Sequence, residues 1–297
     1  MIAVFGFIIG ICLGSLTKAI ADRSLTDKTF WGRSYCEACK KQLAWYDLFP
    51  VLSYLFLRGK CRYCKKKFSP EYLLIEVLTG LIVSWIFVKT VPLNILELDW
   101  TAWTVVGFSI LMYSTIVVTL ISTFITDFKT GYIPDRITYP AIWIMFLTLL
   151  VVTAFKSGLL YWSLSESALG KYLLPPASNY YLDQVLRLSE PLFYGCLMAF
   201  LIGLFFYVLI VITRGKGMGG GDLKLGVFLG LAFGFPYSLV VLMMSFLLGS
   251  IYGIGLITLG KKKFGQTLPF GPFMSIAGII VIFWGSEILD WYLHLSF

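Results

Sequence analysis

The chain has 297 residues, of which 58% are hydrophobic and only 13% are charged. Soluble domains are about 45–50% apolar and about 25% charged, so this composition excludes a soluble globular protein and also a disordered chain. The net charge is +8 and the single histidine is His294. One histidine excludes zinc proteases of the His-x-x-x-His type, and it leaves carboxylates as the main candidates for hydrolytic chemistry.

Apolar runs that approach or exceed the length of a membrane span recur along the whole chain. A spanning helix needs about 20 apolar residues. The sixth run is short, and only Gly234-Phe235-Pro236 separates it from the seventh. The pattern predicts an all-α polytopic membrane protein with about eight transmembrane helices, at 2–20, 73–91, 102–126, 137–155, 191–213, 223–235, 236–260 and 272–293.

The charges around the first span predict its orientation. No basic residue precedes this span, while Lys18 and Arg23 follow its apolar part, which is the reverse of a cleavable signal peptide. The N-terminus is therefore expected outside the cytoplasm. With Lys18 included, the inner connections then carry 20 of the 24 basic residues, so the net charge reflects topology and indicates no nucleic-acid partner. These connections are 21–72, 127–136, 214–224 and 261–271.

The inner segment 21–72 contains two Cys-x-x-Cys pairs with 21 residues between them. This spacing is typical of a zinc ribbon, in which each pair forms a tight knuckle that presents two thiolates. Two disulfides or redox pairs are the alternative, and the reducing inner side disfavours disulfides. Four thiolates close the coordination shell, so we predict a structural zinc ion held by Cys36, Cys39, Cys61 and Cys64.

Two acidic residues lie where predicted inner connections meet spans. Asp127 ends the third span, and Asp222 follows the glycine-rich run 217–221. A carboxylate close to hydrocarbon usually faces a bundle interior or a wet cavity. Two carboxylates that share a proton can hydrolyse a peptide bond, because one activates water while the other donates a hydrogen bond to the scissile carbonyl.

Each of these acidic residues also has an ordinary structural interpretation. Asp127 can be a simple helix-end acid, Asp222 can cap the sixth helix, and Asp135 after Pro134 is best interpreted as a helix cap. The run 215–220 also fits Gly-x-Gly-x-x-Gly. It follows a membrane span rather than the strand of a βαβ unit, so a dinucleotide site is excluded.

The chain is expected to have three parts. These are a first transmembrane helix at 1–20, a cytoplasmic zinc-binding segment at 21–72, and a transmembrane core at 73–297. The core includes an outer stretch, 156–190, which is longer than a simple turn. Its serine, proline and tyrosine content predicts an irregular loop with room for one interfacial helix.

Taken in their order along the chain, the motifs resemble those of the type IV prepilin peptidase family, also called prepilin leader peptidase/N-methyltransferase. The resemblance rests on the two cysteine pairs, on both aspartates, and on five further motifs that run through most of the chain. These motifs are Gly14-Ser15, 50–55, 57–62, 69–72 with Glu76, and 269–272.

The resemblance implies an intramembrane aspartyl protease of the Gly-x-Gly-Asp type, with Asp127 and Asp222 as its catalytic pair. Such enzymes serve type IV pili and type II secretion, and they cut basic leaders from prepilins or pseudopilins after a glycine at the cytoplasmic membrane surface. Many members then methylate the new N-terminus with S-adenosylmethionine, and many carry a cytoplasmic zinc-binding segment. The implied partners are these substrates and membrane lipid, with no nucleic acid.

Lys18 departs from the family, which usually carries an asparagine at this position, and the outer stretch 156–190 has no counterpart. Two other functions stay open. A polytopic transporter or assembly scaffold with a zinc-ribbon docking module predicts charges in the middle of several spans, which this chain lacks. An aspartyl protease for preflagellins is disfavoured by the zinc segment and by the Pro-Phe-Gly-Pro run at 269–272.

Overall fold

A computed structural model describes residues 1–26, 32–36, 38–92, 99–215, 217–261, 263 and 268–295. This part of the chain is helical, with two isolated β-bridges and no β-strand. The predicted all-α class is therefore confirmed. The helices are α1 (Ile2–Leu25), α2 (Leu52–Phe56), α3 (Glu71–Thr90), α4 (Trp100–Thr130), α5 (Asp135–Glu166), α6 (Tyr180–Ile212), α7 (Gly220–Phe233), α8 (Tyr237–Thr258) and α9 (Gly271–Leu295).

Seven helices in the described ranges are long and apolar enough to cross a membrane, namely α1, α3, α4, α5, α6, α8 and α9. The predicted polytopic architecture is confirmed. The short sixth predicted span is α7, whose 14 residues cover about 21 Å at 1.5 Å per residue. This length is less than the roughly 30 Å of hydrocarbon in a typical bilayer.

The chain divides into two compact units, and the first of them ends at Ile137. A stripe of glycines at every fourth position of α1, formed by Gly6, Gly10 and Gly14, brings this helix directly against α3. A Cβ atom at Gly10 would lie only 2.7 Å from the Cα atom of Gly80. Small residues at this spacing allow close approach of helices in a membrane. α4 packs on both helices.

The second unit begins at Thr138 and uses the same device. Gly226 and Gly230 of α7 lie against α6, and a Cβ atom at Gly230 would lie 2.6 Å from the backbone nitrogen of Ala199. At Gly226 the neighbour is the ring of Phe206, so the two helices run antiparallel. α8 and α9 pack on each other and on α7.

The predicted outer stretch is more helical than we expected. α5 continues to Glu166 and α6 begins at Tyr180, so only 167–179 lies outside α-helix, and part of it forms a 3₁₀ helix. The predicted fifth span began at Pro191, but this proline lies inside α6. The polar residues before it are spaced as on a helix, because Asp183 and Arg187 are four residues apart.

Candidate active site and metal centre

The four cysteines of the inserted segment converge on one point. Their Sγ atoms all lie within 4.8 Å of one another, and those of Cys36 and Cys64 are 3.8 Å apart. Sulfur ligands at about 2.3 Å from a tetrahedral zinc ion are themselves about 3.8 Å apart. The cluster can therefore hold a metal ion such as zinc, and the predicted zinc-ribbon-like insertion is consistent with the structure.

The two cysteine loops have the same backbone hydrogen bonds. The N–H of Cys36 donates to the carbonyl of Lys41 at 2.9 Å, and the N–H of Cys61 donates to the carbonyl of Lys66 at 2.8 Å. In both loops the residue before this acceptor adopts a positive φ, of 57° and 59°. The loops form a structural repeat that the sequence analysis did not predict. The shared pattern Cys-x-x-Cys-Lys-Lys is the signal that could have found it.

The crowded thiols have unequal acidities. The backbone N–H of Cys39 donates to the Cys36 sulfur and lowers the pKa of that thiol from 9.0 to about 7, partly opposed by burial. At Cys64 the backbone N–H of Lys66 lowers the pKa, but desolvation and hydrogen bonds with the other thiols raise it to about 11. Four thiols this close do not all ionise without a cation, because the thiolate charges repel one another.

Asp127 lies in the last turn of α4, and its side chain is 4% exposed. It shares a buried helix face with Leu120 and Thr123, at the three- and four-residue spacing of an α-helix. Gly131 ends the helix in the left-handed conformation, and its N–H donates to the Asp127 carbonyl at 2.8 Å. An ordinary helix-end acid would lie in water, so the burial of Asp127 favours a specific role.

Asp222 is the third residue of α7 and is half-buried. Its carboxylate Oδ2 accepts a hydrogen bond from the N–H of Gly219 at 3.3 Å, so the capping interaction considered above is present. This capping contact orients the Asp222 side chain at the start of α7.

Within the second compact unit, the first turns of α7 lie near Tyr139 of α5. Two residues after Asp222, the ammonium group of Lys224 lies 4.9 Å from the centre of the Tyr139 ring. Asp135 is the first residue of α5, and its capping role stays a prediction. Asp127 belongs to the first compact unit and Asp222 to the second, so the pairing of the two carboxylates stays a prediction.

An ionic network around the buried Lys18, near the end of α1, was not predicted from the sequence. Lys18 is only 3% exposed, and its ammonium group forms ion pairs with Asp22 and, at 3.6 Å, with Glu71. The same ammonium group lies 4.9 Å from the centre of the Tyr72 ring. Lys129 forms a second ion pair with Glu71, at 2.6 Å. The four-residue spacing of Lys18 and Asp22 was the available signal in the sequence.

Glu76 ties the inserted segment to α3. This buried side chain accepts a hydrogen bond from the N–H of Val51 at 2.7 Å. Val51 has a φ of 61°, a conformation that a β-branched residue rarely adopts. Such a conformation persists only where the surrounding structure imposes it. The bond therefore fixes the middle of the segment between the two cysteine loops.

Comparisons with known proteins agree with one another. The model for the Bacterial Peptidase A24 N-terminal domain matches residues 8–90, and the model for the Type IV leader peptidase family matches residues 179–254. An Aeromonas salmonicida protein named prepilin leader peptidase/N-methyltransferase is 31% identical over 262 residues, which cover 88% of this chain and 74% of that protein.

Proteins with the same name from two other bacteria are also similar. The Pseudomonas putida protein is 30% identical over 86% of this chain and 73% of its own length. The Legionella pneumophila protein is 28% identical over 89% of this chain and 76% of its own length. No solved structure matches the chain significantly.

Proposed function

Because this chain belongs to the prepilin leader peptidase/N-methyltransferase family, we propose that it removes the basic leader peptide from type IV prepilins or pseudopilins. The observation that carries the proposal is the match to the Aeromonas salmonicida relative over 88% of the chain. The protein is a multi-pass protein of the inner membrane, in keeping with its seven long apolar helices. The proposed cleavage follows the last residue of the leader, a glycine.

Asp127 and Asp222 are the proposed catalytic pair. Asp222 lies at the N-terminal end of its helix, where its carboxylate accepts a hydrogen bond from the N–H of Gly219. Asp127 lies at the C-terminal end of its helix, where the backbone presents carbonyl groups. We therefore assign Asp222 as the base and Asp127 as the acid.

In the proposed reaction, Asp222 takes a proton from water as the water oxygen attacks the scissile carbonyl carbon. Asp127 donates a hydrogen bond to the carbonyl oxygen and stabilises the negative charge that develops there. Asp222 then returns the proton to the leaving amine as the peptide bond breaks. The glycines at 219–221 leave room for the extended peptide backbone.

The proposed orientation places both aspartates at the cytoplasmic face. It is supported by the 20 of 24 basic residues that fall in inner connections when the N-terminus lies outside. In this arrangement the apolar helix of the prepilin lies in the membrane beside the bundle. Its basic leader stays in the cytoplasm, where the scissile bond reaches the catalytic pair.

The four clustered cysteines are the proposed ligands of a structural zinc ion, which would cross-link the two loops and leave no open coordination position. The name shared by the relatives also includes an N-methyltransferase. We extend the proposal to methylation of the newly exposed N-terminus with S-adenosylmethionine as methyl donor. That extension rests on the family alone.

The test is co-expression of a prepilin with Asp127→Asn or Asp222→Asn, followed by mass spectrometry of the pilin. We expect each variant to insert in the membrane but to lose cleavage by about 1,000-fold or more, as for essential groups of other proteases. Asp183→Asn is the matched control, because Asp183 also lies in the first turn of a helix. Full cleavage by either catalytic variant would refute the assignment. The same spectra report an added methyl group.

A further inference from the structure

The segment 44–58, between the two cysteine loops, exposes an unusually apolar surface. The side chains of Trp45 and Phe56 are 73% and 83% exposed. Aromatic rings pack on one another here, because Trp45 contacts both Tyr46 and Phe49 at 5.7 Å between ring centroids. The exposed large side chains, which we call the inter-loop surface, are Trp45, Tyr46, Leu48, Phe49, Leu52, Leu55 and Phe56. Contiguous apolar surface of this kind marks a docking site.

A hydrogen bond determines the position of this surface along α3. Val51, near the middle of the segment, donates to the carboxylate of Glu76, which is the sixth residue of the apolar helix α3. Five residues correspond to about 8 Å along a helix. The inter-loop surface therefore lies beside the first two turns of α3. In the proposed orientation this is the end of α3 that enters the bilayer from the cytoplasm. Aromatic side chains are enriched at that level in membrane proteins.

The charge around the surface indicates what covers it. Between residues 32 and 70 there are nine basic residues and two acidic residues, Glu37 and Asp47. Asp47 is buried and paired with Arg62 at 2.8 Å, so it does not offset the other cations. The basic residues are Arg33, Lys40, Lys41, Arg58, Lys60, Arg62, Lys65, Lys66 and Lys67. This surface repels the basic leader of a prepilin and attracts anionic lipid headgroups.

We propose that the inter-loop surface docks on the inner leaflet of the membrane and binds anionic lipid. Its aromatic and aliphatic side chains lie among the headgroups, and the basic residues of the two cysteine loops contact lipid phosphates. A groove of about 230 Å³ within the surface, lined in part by Phe49, Leu52 and Phe56, offers room for part of an acyl chain. The proposal rests on the orientation given under Proposed function.

The test is amide hydrogen exchange of the full-length, zinc-loaded protein in nanodiscs. One set contains phosphatidylcholine alone, and the other contains a fraction of phosphatidylglycerol, which is anionic. We expect exchange across 44–58 to slow several-fold in the anionic discs and to recover at high salt, because salt screens the headgroup charge. Equal exchange in both discs would overturn the proposal. Slowing that requires an added prepilin peptide would overturn it as well, in favour of a peptide-binding surface.

Two variants and one control sharpen the experiment. Leu55→Gln with Phe56→Gln removes apolar side chains, and Lys60→Gln with Lys66→Gln removes charge; both variants should lose the lipid-dependent slowing. The control, Lys261→Gln with Lys263→Gln, lowers the charge of another predicted inner connection. This control should keep the lipid-dependent slowing. Bound zinc at the wild-type level confirms that a variant is folded. If a variant loses zinc, the proposal is still decided by the unaltered protein, whose exchange is compared between neutral and anionic discs and between low and high salt.

The inactive Asp127→Asn protein separates this proposal from the proposed function. It should show the same lipid-dependent slowing as the unaltered protein, because the docking uses no catalytic group. Loss of cleavage with unchanged exchange in all discs would leave the peptidase assignment standing and end the lipid assignment. Lipid-dependent slowing in a protein whose aspartate variants still cleave would support the lipid assignment and end the assignment of Asp127 and Asp222 as the catalytic pair.

Discussion

Lys18 places a positive charge where α1, α3 and α4 meet. A lysine near a helix end normally extends to water, whereas this side chain is 3% exposed. Its two carboxylate partners each have a second partner, because Tyr72 donates to Asp22 at 3.1 Å and Lys129 pairs with Glu71. The network therefore compensates the buried charge of Lys18 with side chains from three helices. One of these side chains, Lys129, is two residues from Asp127 in the sequence.

Lys18→Met should lower the free energy of unfolding by about 1–3 kcal/mol, because Asp22 loses its paired ammonium group and Glu71 keeps only Lys129 of its two cationic partners. The figure is at the low end for a buried ion pair, since both carboxylates are partly exposed. Thermal unfolding in detergent measures the change. Lys171→Met, on an exposed lysine of the connection between α5 and α6, is the control and should leave the melting temperature unaltered. Equal melting of both variants would mean that the network adds no stability.

At the level of single residues, the sequence predicts the local role of a side chain better than it predicts the side chains that contact it in the fold. The cysteine grouping follows from spacing alone, because two Cys-x-x-Cys pairs constrain their own geometry. The capping role of Asp222 was foreseen as an alternative for the same reason, since capping is local. The partners of Lys18 and Glu76 were not foreseen, because Glu71 and Val51 are distant in sequence and only tertiary packing brings them close.

Among the helices, glycine stripes decide which neighbours pack closely. The α1–α3 and α6–α7 pairs both depend on glycines at every fourth position. The sequence contained this signal at Gly6, Gly10 and Gly14, yet the span prediction used hydropathy alone, which locates spans without pairing them. The predicted ends of the spans near 156–190 were wrong, because hydropathy locates only the apolar part of a helix. Polar residues extend α5 to Glu166 and start α6 at Tyr180.

Gly10→Ala and Gly230→Ala should each destabilise the protein by about 1–3 kcal/mol, because the new methyl group overlaps backbone atoms of the neighbouring helix. Gly107→Ala is the matched control, since a Cβ atom there meets nothing within 4 Å. The control should be neutral or more stable by up to about 1 kcal/mol through helix propensity. Thermal unfolding of the three variants tests this difference. A control that is as unstable as Gly10→Ala would contradict close packing as the cause.

Removal of zinc should disorder the cysteine loops while the spanning helices persist. We expect chelation to expose the four thiols to alkylation with little loss of helical circular dichroism, because the helices do not depend on the metal. Cys196→Ser, which changes a cysteine inside α6, should leave the zinc content unaltered. A collapse of the helical signal on chelation would show that the loops support the whole bundle.

Zinc affinity should fall as pH decreases, because protons compete with the metal for thiolates. The pKa of Cys36 is lowered to about 7, so this thiol stays ionised above that value and becomes protonated below it. The pKa of Cys64 is raised to about 11, so protons compete with the metal at that thiol throughout the neutral range. Affinity should therefore fall steadily as pH decreases, and more steeply below about pH 7, as measured by competition with a chromophoric chelator. An affinity that is constant between about pH 8 and pH 6 would be incompatible with thiolate ligands.

For the molecule as a whole, α7 determines the side on which the chain ends. If α7 crosses the membrane, eight crossings from an outer N-terminus return the C-terminus to the outside. The position of α7 beside α6 and the three lysines at 261–263 both favour a crossing, because these lysines then lie inside. Hydropathy could predict this only as a short span, since 14 residues fall below the usual length.

Alkaline phosphatase fused after Phe297 should therefore be active, because this enzyme folds only outside the cytoplasm. Green fluorescent protein fused at the same point should stay dark. A fusion truncated after Thr213 is the control and should show the opposite pattern, since the proposed orientation places the end of the fifth span inside. A fluorescent C-terminal fusion would place α7 in the membrane without crossing it.

The antiparallel contact between α1 and α3 brings the two ends of the cysteine-containing insertion together, so this insertion behaves as an exchangeable cassette. Gly14 lies against Glu76, so the exit from α1 and the return into α3 are neighbours whatever is inserted between them. Insertions with adjacent ends disturb a host fold least. A short turn or a foreign domain with neighbouring termini should therefore fit between Leu25 and Glu71, which would allow the contribution of the cassette to be measured in an otherwise intact bundle.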